Sequence, residues 1–233
     1  MDARVVAAVL DNARWCHLVC ATQGIVGRFD DDAWVSSRRT PPMYPDAVTL
    51  TADVEPEALL ARIDRTAGCS VKDSFSTLDL SDAGFRVLFD AQWFWRPAGQ
   101  PLSGGGVRWD RVEQPADLRA WSIEHGAGPT FSPRLLDEPS VTILAGRDDH
   151  GALVAGAAAT EGDEAVGISN VFAVGGAALA FAEAFAEATA AIAERFPDRP
   201  IVGYLSTDRL GAAAAAGFET TGPLRIWLLD GES

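Results

Sequence analysis

The most constraining feature of the sequence is a strand that runs through two glycines into a long amphipathic helix. The segment reads VFAVGGAALAFAEAFAE over residues 171–187. Phe181, Phe185 and Phe196 share one side of the predicted helix, residues 177–196, a spacing typical of a helix that lies on a sheet. Free N–H groups and the dipole at a helix N-terminus favour an anion such as phosphate. The segment therefore predicts a phosphate cradle, with a plain helix entry as the structural alternative.

The elements around this segment predict an α+β fold with a mixed sheet. A helix is predicted over residues 114–126, and three strands joined by the tight turns RDDHG and EGDE follow as an antiparallel meander. After the long helix come a strand (PIVGYLS), a short helix that ends at Gly217, and a last strand (PLRIWLL). The spacing G-x-G-x-x-G is absent and the preceding strands form hairpins, so a dinucleotide-binding fold is not predicted.

The first half of the chain weakly repeats the order strand, short helix, Gly-Phe and strand that ends the second half. A helix over residues 3–21, a strand over 47–51, a helix over 56–66 and a strand over 84–95 are predicted there. The anchors of the repeat are Gly84-Phe85 with Trp93 in the first half and Gly217-Phe218 with Trp227 in the second. Proline and glycine are dense in residues 96–106, which we interpret as a linker. The predicted units are therefore residues 1–98 and 107–233.

The order helix, three antiparallel strands, long helix, strand, short helix, Gly-Phe and strand resembles the GNAT acyltransferase superfamily. The resemblance covers residues 107–230 and extends in part to 45–95, so the chain resembles a tandem GNAT protein with a truncated first unit. It implies transfer of an acetyl or other acyl group from acetyl-CoA to an amine acceptor. It also implies that the pantetheine arm binds the fourth strand of the unit at Asn170, Val171, Phe172 and Ala173. The pyrophosphate is implied at the following loop, at Gly175, Gly176 and Ala177.

Two departures from the family pattern bear on activity. The phosphate loop has no arginine or glutamine, and losing a charge-assisted contact weakens binding by about 1.5–3 kcal/mol. Ala213 stands where many members have a tyrosine that protonates the leaving CoA thiolate. Tyr204 is the nearest replacement on the sequence, because a phenol can donate that proton. The alternative is a non-catalytic GNAT-fold binding or regulatory protein that has lost both features.

Charge and cysteine content bear on the partners, the cellular location and the metal binding of the protein. The net charge is −14, which argues against nucleic acid or an anionic membrane as a partner. Three cysteines and no secretory signal predict a cytoplasmic protein, and the resemblance adds that it is of bacterial type. Cys16, His17 and Cys20 lack further ligands nearby in sequence, so no metal is predicted. A homodimer is left open, since Trp227 on the last strand suits an interface as well as a core.

One further site is a candidate for binding the acceptor. Arg38 and Arg39 stand together on the proline-stiffened segment SSRRTPPMYP, residues 36–45. Paired arginines on such a loop suit a carboxylate or a phosphate. Surface ion pairing with the abundant acids is the alternative. Glu161, Asp163 and Glu164 in the turn of the meander are candidate bases, with solvated surface acids as the alternative reading.

Overall fold

The computed structural model describes residues 2–100, 102, 104–175 and 179–230. Gly176 and Ala177 of the predicted phosphate loop lie outside the described residues. Five α-helices occur within these ranges: α1 (Ala3–Thr22), α2 (Pro56–Leu60), α3 (Pro115–His125), α4 (Phe181–Arg195) and α5 (Leu210–Ala215). Short 3₁₀ helices add Ser81–Ala83, Gly128–Thr130, Pro133–Asp137 and Thr207–Arg209. No helix in the described part of the chain is both long and apolar enough to span a bilayer.

The described strands form one mixed sheet, which confirms the predicted α+β class. In chain order they are β1 (Arg28–Phe29), β2 (Ala33–Val35), β3 (Ala47–Thr49), β4 (Ser70–Asp73), β5 (Phe85–Arg96), β6 (Arg108–Arg111), β7 (Val141–Arg147), β8 (Leu153–Glu161), β9 (Val166–Ala173), β10 (Ile201–Ser206) and β11 (Glu219–Leu229). Their order across the sheet is β1-β2-β3-β4-β11-β5-β10-β9-β8-β7-β6. The predicted meander is β7-β8-β9, and it pairs antiparallel throughout.

The centre of the sheet shows that the two halves of the chain exchange their last strands. Each half has a parallel pair joined through a helix, β3-α2-β4 in the first and β9-α4-β10 in the second. β5, which ends the first half, pairs with β10 of the second half, and β11, which ends the second half, pairs with β4 of the first. β5 and β11 pair with each other at the centre. The sheet is therefore continuous across the predicted linker.

The repeat seen in the sequence holds for its glycines and fails for its tryptophans. Gly84 and Gly217 both adopt left-handed backbone conformations, φ +85° and +78°, directly before β5 and β11. Trp93 packs with Val5 and Ala8 of α1, whereas Trp227 packs on the opposite face of the sheet with Leu59 of α2. The one-residue difference in spacing is the reason, because neighbouring strand residues point to opposite faces. Trp227 is 4% exposed and belongs to the core.

Several boundaries differ from the predicted ones. The helix expected over 56–66 ends at Leu60, and beyond it Ile63 turns into the core while Arg62 pairs with Asp32. The last strand begins at Glu219, ahead of Pro223, because β5 is long enough to pair with β11 over that extra stretch. β4 pairs with β11 only from Arg225 onward. Tertiary pairing thus sets these limits more than local propensity does.

Candidate functional site

A gap opens in the sheet between β9 and β10. The two strands pair in parallel only at Val166↔Ile201 and Gly167↔Val202. A Cβ on Gly203 would lie 2.6 Å from the Ile168 carbonyl oxygen, so the strands are still close at that point. Beyond it they diverge and leave a cavity of about 250 Å³, here called the gap cavity. Its described lining residues are Asn12, Trp15, Cys16, Met43, Tyr44, Pro45, Lys72, Phe89, Ile168, Ser169, Asn170, Val171, Phe181, Phe185, Tyr204, Leu205, Ser206 and Arg209.

The wall of the gap cavity on β9 carries a backbone irregularity. Asn170 has φ +52°, a left-handed conformation that asparagine tolerates better than most residues. The pairing of β9 with β8 shifts register at the same place, between Gly156 and Ala158. The Asn170 amide donates to Ser169 Oγ at 2.9 Å. Such a bulge re-aims the backbone. Since β10 pairs with β9 only as far as Gly167, the edge of β9 beyond it that faces the gap has no described strand partner.

The predicted contacts on this strand separate into two groups. Asn170 and Val171 line the gap cavity. Phe172 is buried on Trp121 and His125, and neither it nor Ala173 is among the lining residues. Exposed Gly175 follows, and a Cβ built on it meets no atom within 4 Å.

The start of α4 holds an acid and lies beside a cation that the sequence did not indicate. The Glu183 carboxylate accepts a hydrogen bond from the Ala180 N–H at 3.0 Å. The Arg209 guanidinium lies 4.5 Å from the centre of the Phe181 ring, so a positive charge flanks the helix N-terminus. Arg209 follows β10, and its sequence context suggested only the opening of a short helix. No local pattern relates it to the phosphate loop.

Tyr204 and Lys72 meet where the gap cavity joins a second cavity. Lys72 Nζ lies 4.3 Å from the centre of the Tyr204 ring and donates to Asn12 Oδ1 at 2.6 Å. The Tyr204 ring packs edge-on against Trp93, with the ring centroids 5.4 Å apart. Lys72 is the only lysine of the chain and is 3% exposed. The structure thus brings the predicted catalytic tyrosine next to a buried cation.

The second cavity, here called the loop cavity, has a volume of about 570 Å³ and lies under residues 39–45. Buried Asp46 holds this loop in place, because its carboxylate accepts from the Thr40 N–H at 2.9 Å and the Ser70 N–H at 2.9 Å and pairs with Arg39. The described residues that line both cavities are Met43, Tyr44, Pro45, Lys72, Phe89 and Tyr204.

The two arginines proposed for the acceptor occupy different places. Arg39 lines the loop cavity, with its guanidinium on Asp46 and on the Gly68 carbonyl. Arg38 is exposed, donates to the Gly24 carbonyl at 3.3 Å and is not a lining residue of either cavity. The candidate base Asp163 pairs with Arg14, and neither Glu161 nor Glu164 lines either cavity.

The charged side chains that line the two cavities are all basic, although the protein is acidic. None of their described lining residues is an aspartate or glutamate, whereas Lys72, Arg209 and Arg39 are lining residues. The whole chain carries a net charge of −14. A cleft of one sign with low-dielectric walls attracts ligands of the opposite sign, so this site favours an anion.

The other residues considered in the sequence analysis have environments typical of structural rather than catalytic residues. Ala213 is buried beside Phe185 and Ala188 of α4, which leaves the position without a proton donor. Burial raises the pKa of the Cys16 and Cys20 thiols, so neither is a ready nucleophile. His17 Nδ1 accepts from Trp34 Nε1 at 3.1 Å. Across the described ranges, no group of three or more His, Cys, Asp or Glu is arranged to hold a metal.

A larger cavity of about 640 Å³ lies at the other end of α4. The four arginines among its described lining residues already have partners. Arg96 donates to the Ala216 carbonyl, Arg195 to the Trp109 carbonyl and Arg199 to the Gly162 carbonyl, and Arg108 pairs with Asp110. These bonds join the end of β5 to the end of α5, and the end of α4 to β6 and to the turn between β8 and β9. We interpret this cavity as structural.

Known structures share this architecture. No protein-family model matches the sequence, and no curated protein matches it significantly. A GCN5-related N-acetyltransferase from Kribbella flavida aligns with a TM-score of 0.64 and 18% identity, over 97% of this chain and 96% of that one. A Novosphingobium aromaticivorans protein assigned to the GNAT acetyltransferase family aligns with a TM-score of 0.58 and 16% identity, over 97% and 99%. A conserved Staphylococcus epidermidis protein of unknown function gives 0.60 and 11%, over 88% and 93%. At such identities the likeness concerns the fold, and this chain has the fold of the GCN5-related N-acetyltransferases.

Proposed function

We propose that this protein is an N-acyltransferase that binds acyl-CoA, with acetyl-CoA as the simplest donor, in the gap cavity and an amine acceptor in the loop cavity. The observation that carries the proposal is the free edge of β9 opposite β10. An extended pantetheine arm has the amides needed to bond to such an edge as an added strand. The named activities of the Kribbella and Novosphingobium relatives support the same class of reaction.

We propose that Arg209 supplies the positive charge that the phosphate loop lacks. It stands at the start of α4, where the helix dipole also favours phosphate. We propose that the pyrophosphate binds between Arg209 and the backbone of Gly175 and residues 179–181. Gly175 allows a close approach, because no atom lies within 4 Å of the position of its missing Cβ.

The chemistry proposed is direct transfer. The neutral amine nitrogen attacks the thioester carbonyl carbon, the C–S bond breaks, and the acyl group ends on nitrogen as an amide. Tyr204 donates its phenol proton to the departing thiolate and is then reprotonated by solvent. No carboxylate is among the described lining residues, so we propose that the amine proton leaves to water.

Calorimetry with acetyl-CoA, desulfo-CoA and 3′-dephospho-CoA tests the proposal. We expect micromolar binding of acetyl-CoA. Gly175→Glu should abolish binding and leave the thermal unfolding temperature unchanged, since the site has room for a side chain. Arg209→Met should weaken binding about 10-fold, whereas Arg119→Met, an exposed arginine on α3, should leave it unchanged. Absence of binding at millimolar ligand would favour the non-catalytic alternative, a protein that keeps the fold and binds a partner.

Two further expectations belong with this proposal. We propose that residues 1–98 and 107–233 are related GNAT-like units, as the matched β3-α2-β4 and β9-α4-β10 segments suggest. We also propose a cytoplasmic location, where three buried free cysteines stay reduced.

A further inference from the structure

Lys72 carries a buried charge whose partners are incomplete. Every described ion pair of the chain joins an arginine to an acid, and none includes Lys72. Its partners in the described structure are the neutral Asn12 amide oxygen and the face of the Tyr204 ring. An ammonium group has three N–H donors, and a charge taken out of water is stable only when it is well paired. Lys72 therefore retains capacity for an anion.

The place where that anion would bind is defined by the two cavities. Lys72 lines both of them, so an anion on Nζ lies at their junction. The other cation of the loop cavity, Arg39, is already paired with Asp46. Lys72 is thus the one side chain of the described lining that offers the loop cavity an uncompensated positive charge.

The rest of the loop cavity is apolar. Its walls include Pro41, Met43, Leu88, Ile226 and Leu228. Met43 is 67% exposed at the mouth and adopts φ +74°, a backbone conformation that a methionine seldom takes. Methionine is a flexible side chain that adapts to apolar ligands of different shapes. A volume of about 570 Å³ is in the range of small-molecule sites.

From these observations we propose that the acceptor is an apolar α-amino acid, whose carboxylate binds Lys72 and whose side chain fills the loop cavity. This inference rests on the acyl transfer proposed above. Lys72 Nζ lies only 4.3 Å from the Tyr204 ring centre, so a carboxylate on Lys72 places a nearby amine beside Tyr204. A short spacing between the two groups, as in an α-amino acid, fits this arrangement. A polycationic amine is disfavoured by charge, because no aspartate or glutamate is among the described residues that line the gap cavity with Lys72 and Arg209.

Acetylation of paired acceptors tests the proposal on the full-length protein. Phenylalanine and leucine are compared with phenylalaninamide and leucinamide, which keep the amine and side chain and lack the carboxylate, and with spermidine. Product mass and released CoA thiol are measured. We expect kcat/KM for the acids to exceed that for the amides at least 10-fold, with no product from spermidine. Equal rates for acid and amide, or a preference for spermidine, would overturn the proposal without the use of any variant.

Substitution of the lysine adds a second, independent readout. Lys72→Met should lower kcat/KM for phenylalanine at least 10-fold more than it lowers kcat/KM for phenylalaninamide, and the loss for phenylalanine should appear in KM. Arg119→Met, on the exposed side of α3 and outside both cavities, is the control and should change neither. Equal loss for acid and amide would overturn the anchoring role. Acetylation of Lys72 itself, found by peptide mapping, would also overturn it and make the lysine the acceptor.

Failure of this inference is distinguishable from failure of the proposed function. Binding of acetyl-CoA without binding of phenylalanine to the CoA complex, both measured by calorimetry, would refute the acceptor class and leave acyl transfer in place. Absence of acetyl-CoA binding would refute acyl transfer, and with it the basis of the acceptor.

Discussion

Tyr204 contributes a ring and a hydroxyl group to the site, and the two have separable roles. The ring packs against Trp93 and under the Lys72 ammonium group, so it forms part of the cavity wall. Only the hydroxyl is available as a proton donor. A substitution that removes the hydroxyl and keeps the ring therefore isolates the proposed chemistry.

Tyr204→Phe should lower kcat about 100-fold or more, the usual contribution of a positioned general acid, and leave the Kd of acetyl-CoA unchanged. Steady-state kinetics and calorimetry measure the two quantities. Tyr44→Phe is the control, since Tyr44 accepts from Trp15 Nε1 at 3.1 Å and burial raises its pKa well above the usual range. That control should lose about 1 kcal/mol of stability and keep its activity. A Tyr204→Phe enzyme with full kcat would eliminate Tyr204 as the acid.

Asp11 illustrates a second residue whose chemistry depends on burial. Burial raises the pKa of its carboxyl well above the usual range, against the opposing effect of a hydrogen bond from the Gly167 backbone. One carboxyl oxygen, Oδ1, has no hydrogen-bond partner among the described residues. The folded protein thus keeps a proton that the unfolded chain releases near pH 4. Its contribution to stability is full below that pH and is lost as pH rises toward the folded pKa.

Asp11→Asn should therefore raise the free energy of unfolding relative to the parent protein more at pH 8 than at pH 5. Urea unfolding at both pH values measures the difference. Asp163→Asn is the opposite control, because Arg14 lowers the pKa of that exposed carboxyl and its contribution is lost toward low pH. A pH-independent effect of Asp11→Asn would show that the carboxyl is ionised in the folded protein.

At the scale of elements, α4 begins with a conflict between its own cap and a bound phosphate. Glu183 satisfies the Ala180 N–H and places a negative charge at the positive end of the helix. A phosphate bound beside Arg209 would meet this charge. The acid stabilises the free protein and opposes the proposed ligand.

Glu183→Gln should tighten acetyl-CoA binding about 3-fold, because it keeps an acceptor for Ala180 and removes the repulsion, and it should lower helix stability by about 0.5 kcal/mol. Calorimetry and thermal unfolding measure the two effects. Glu194→Gln at the other end of α4 should change neither. Weaker binding by the glutamine variant would place the phosphate elsewhere.

The elements themselves were largely predictable, whereas the site was predictable only in part. The periodicity over residues 3–21 and 114–126 predicted α1 and α3 to within one residue at each end, since both helices bury one face. Asn170 and Val171 were named from the family resemblance and Tyr204 as the nearest replacement for the missing tyrosine, and all three line the gap cavity. Lys72, Asp46 and Arg209 were missed, because each acts through a segment distant in sequence. A contact between segments that are distant in sequence leaves no pattern within a short stretch of the chain.

At the scale of the whole molecule, the exchange of β5 and β11 joins the two halves. β5 lies between β11 and β10, both from the second half, and β11 lies between β4 and β5. The sequence does not distinguish this arrangement from one in which each half keeps its own last strand. Both arrangements bury the same alternating residues, and they differ only in which edge each strand joins.

A chain cut after Gly99, at an inserted protease site, should therefore remain a single species. Gly99 is exposed and belongs to the predicted linker, so the cut removes no pairing of β5. We expect the two pieces to co-elute in a 1:1 complex and to part only in denaturant. Pieces that separate under native conditions would contradict the exchanged sheet. An uncut chain with the same insertion is the control.

Because this chain contains one lysine, the rate at which that lysine is chemically labelled can report how often the two cavities open to solvent. Amine-selective reagents can modify only the N-terminus and Lys72. Lys72 is 3% exposed, so its labelling rate in the folded protein reports how often the surrounding wall admits solvent. A saturating ligand that covers Lys72 Nζ should lower the labelling rate of Lys72. The N-terminus reacts in the same sample and gives the reference rate. Occupancy of the junction between the two cavities can thus be timed without any introduced probe.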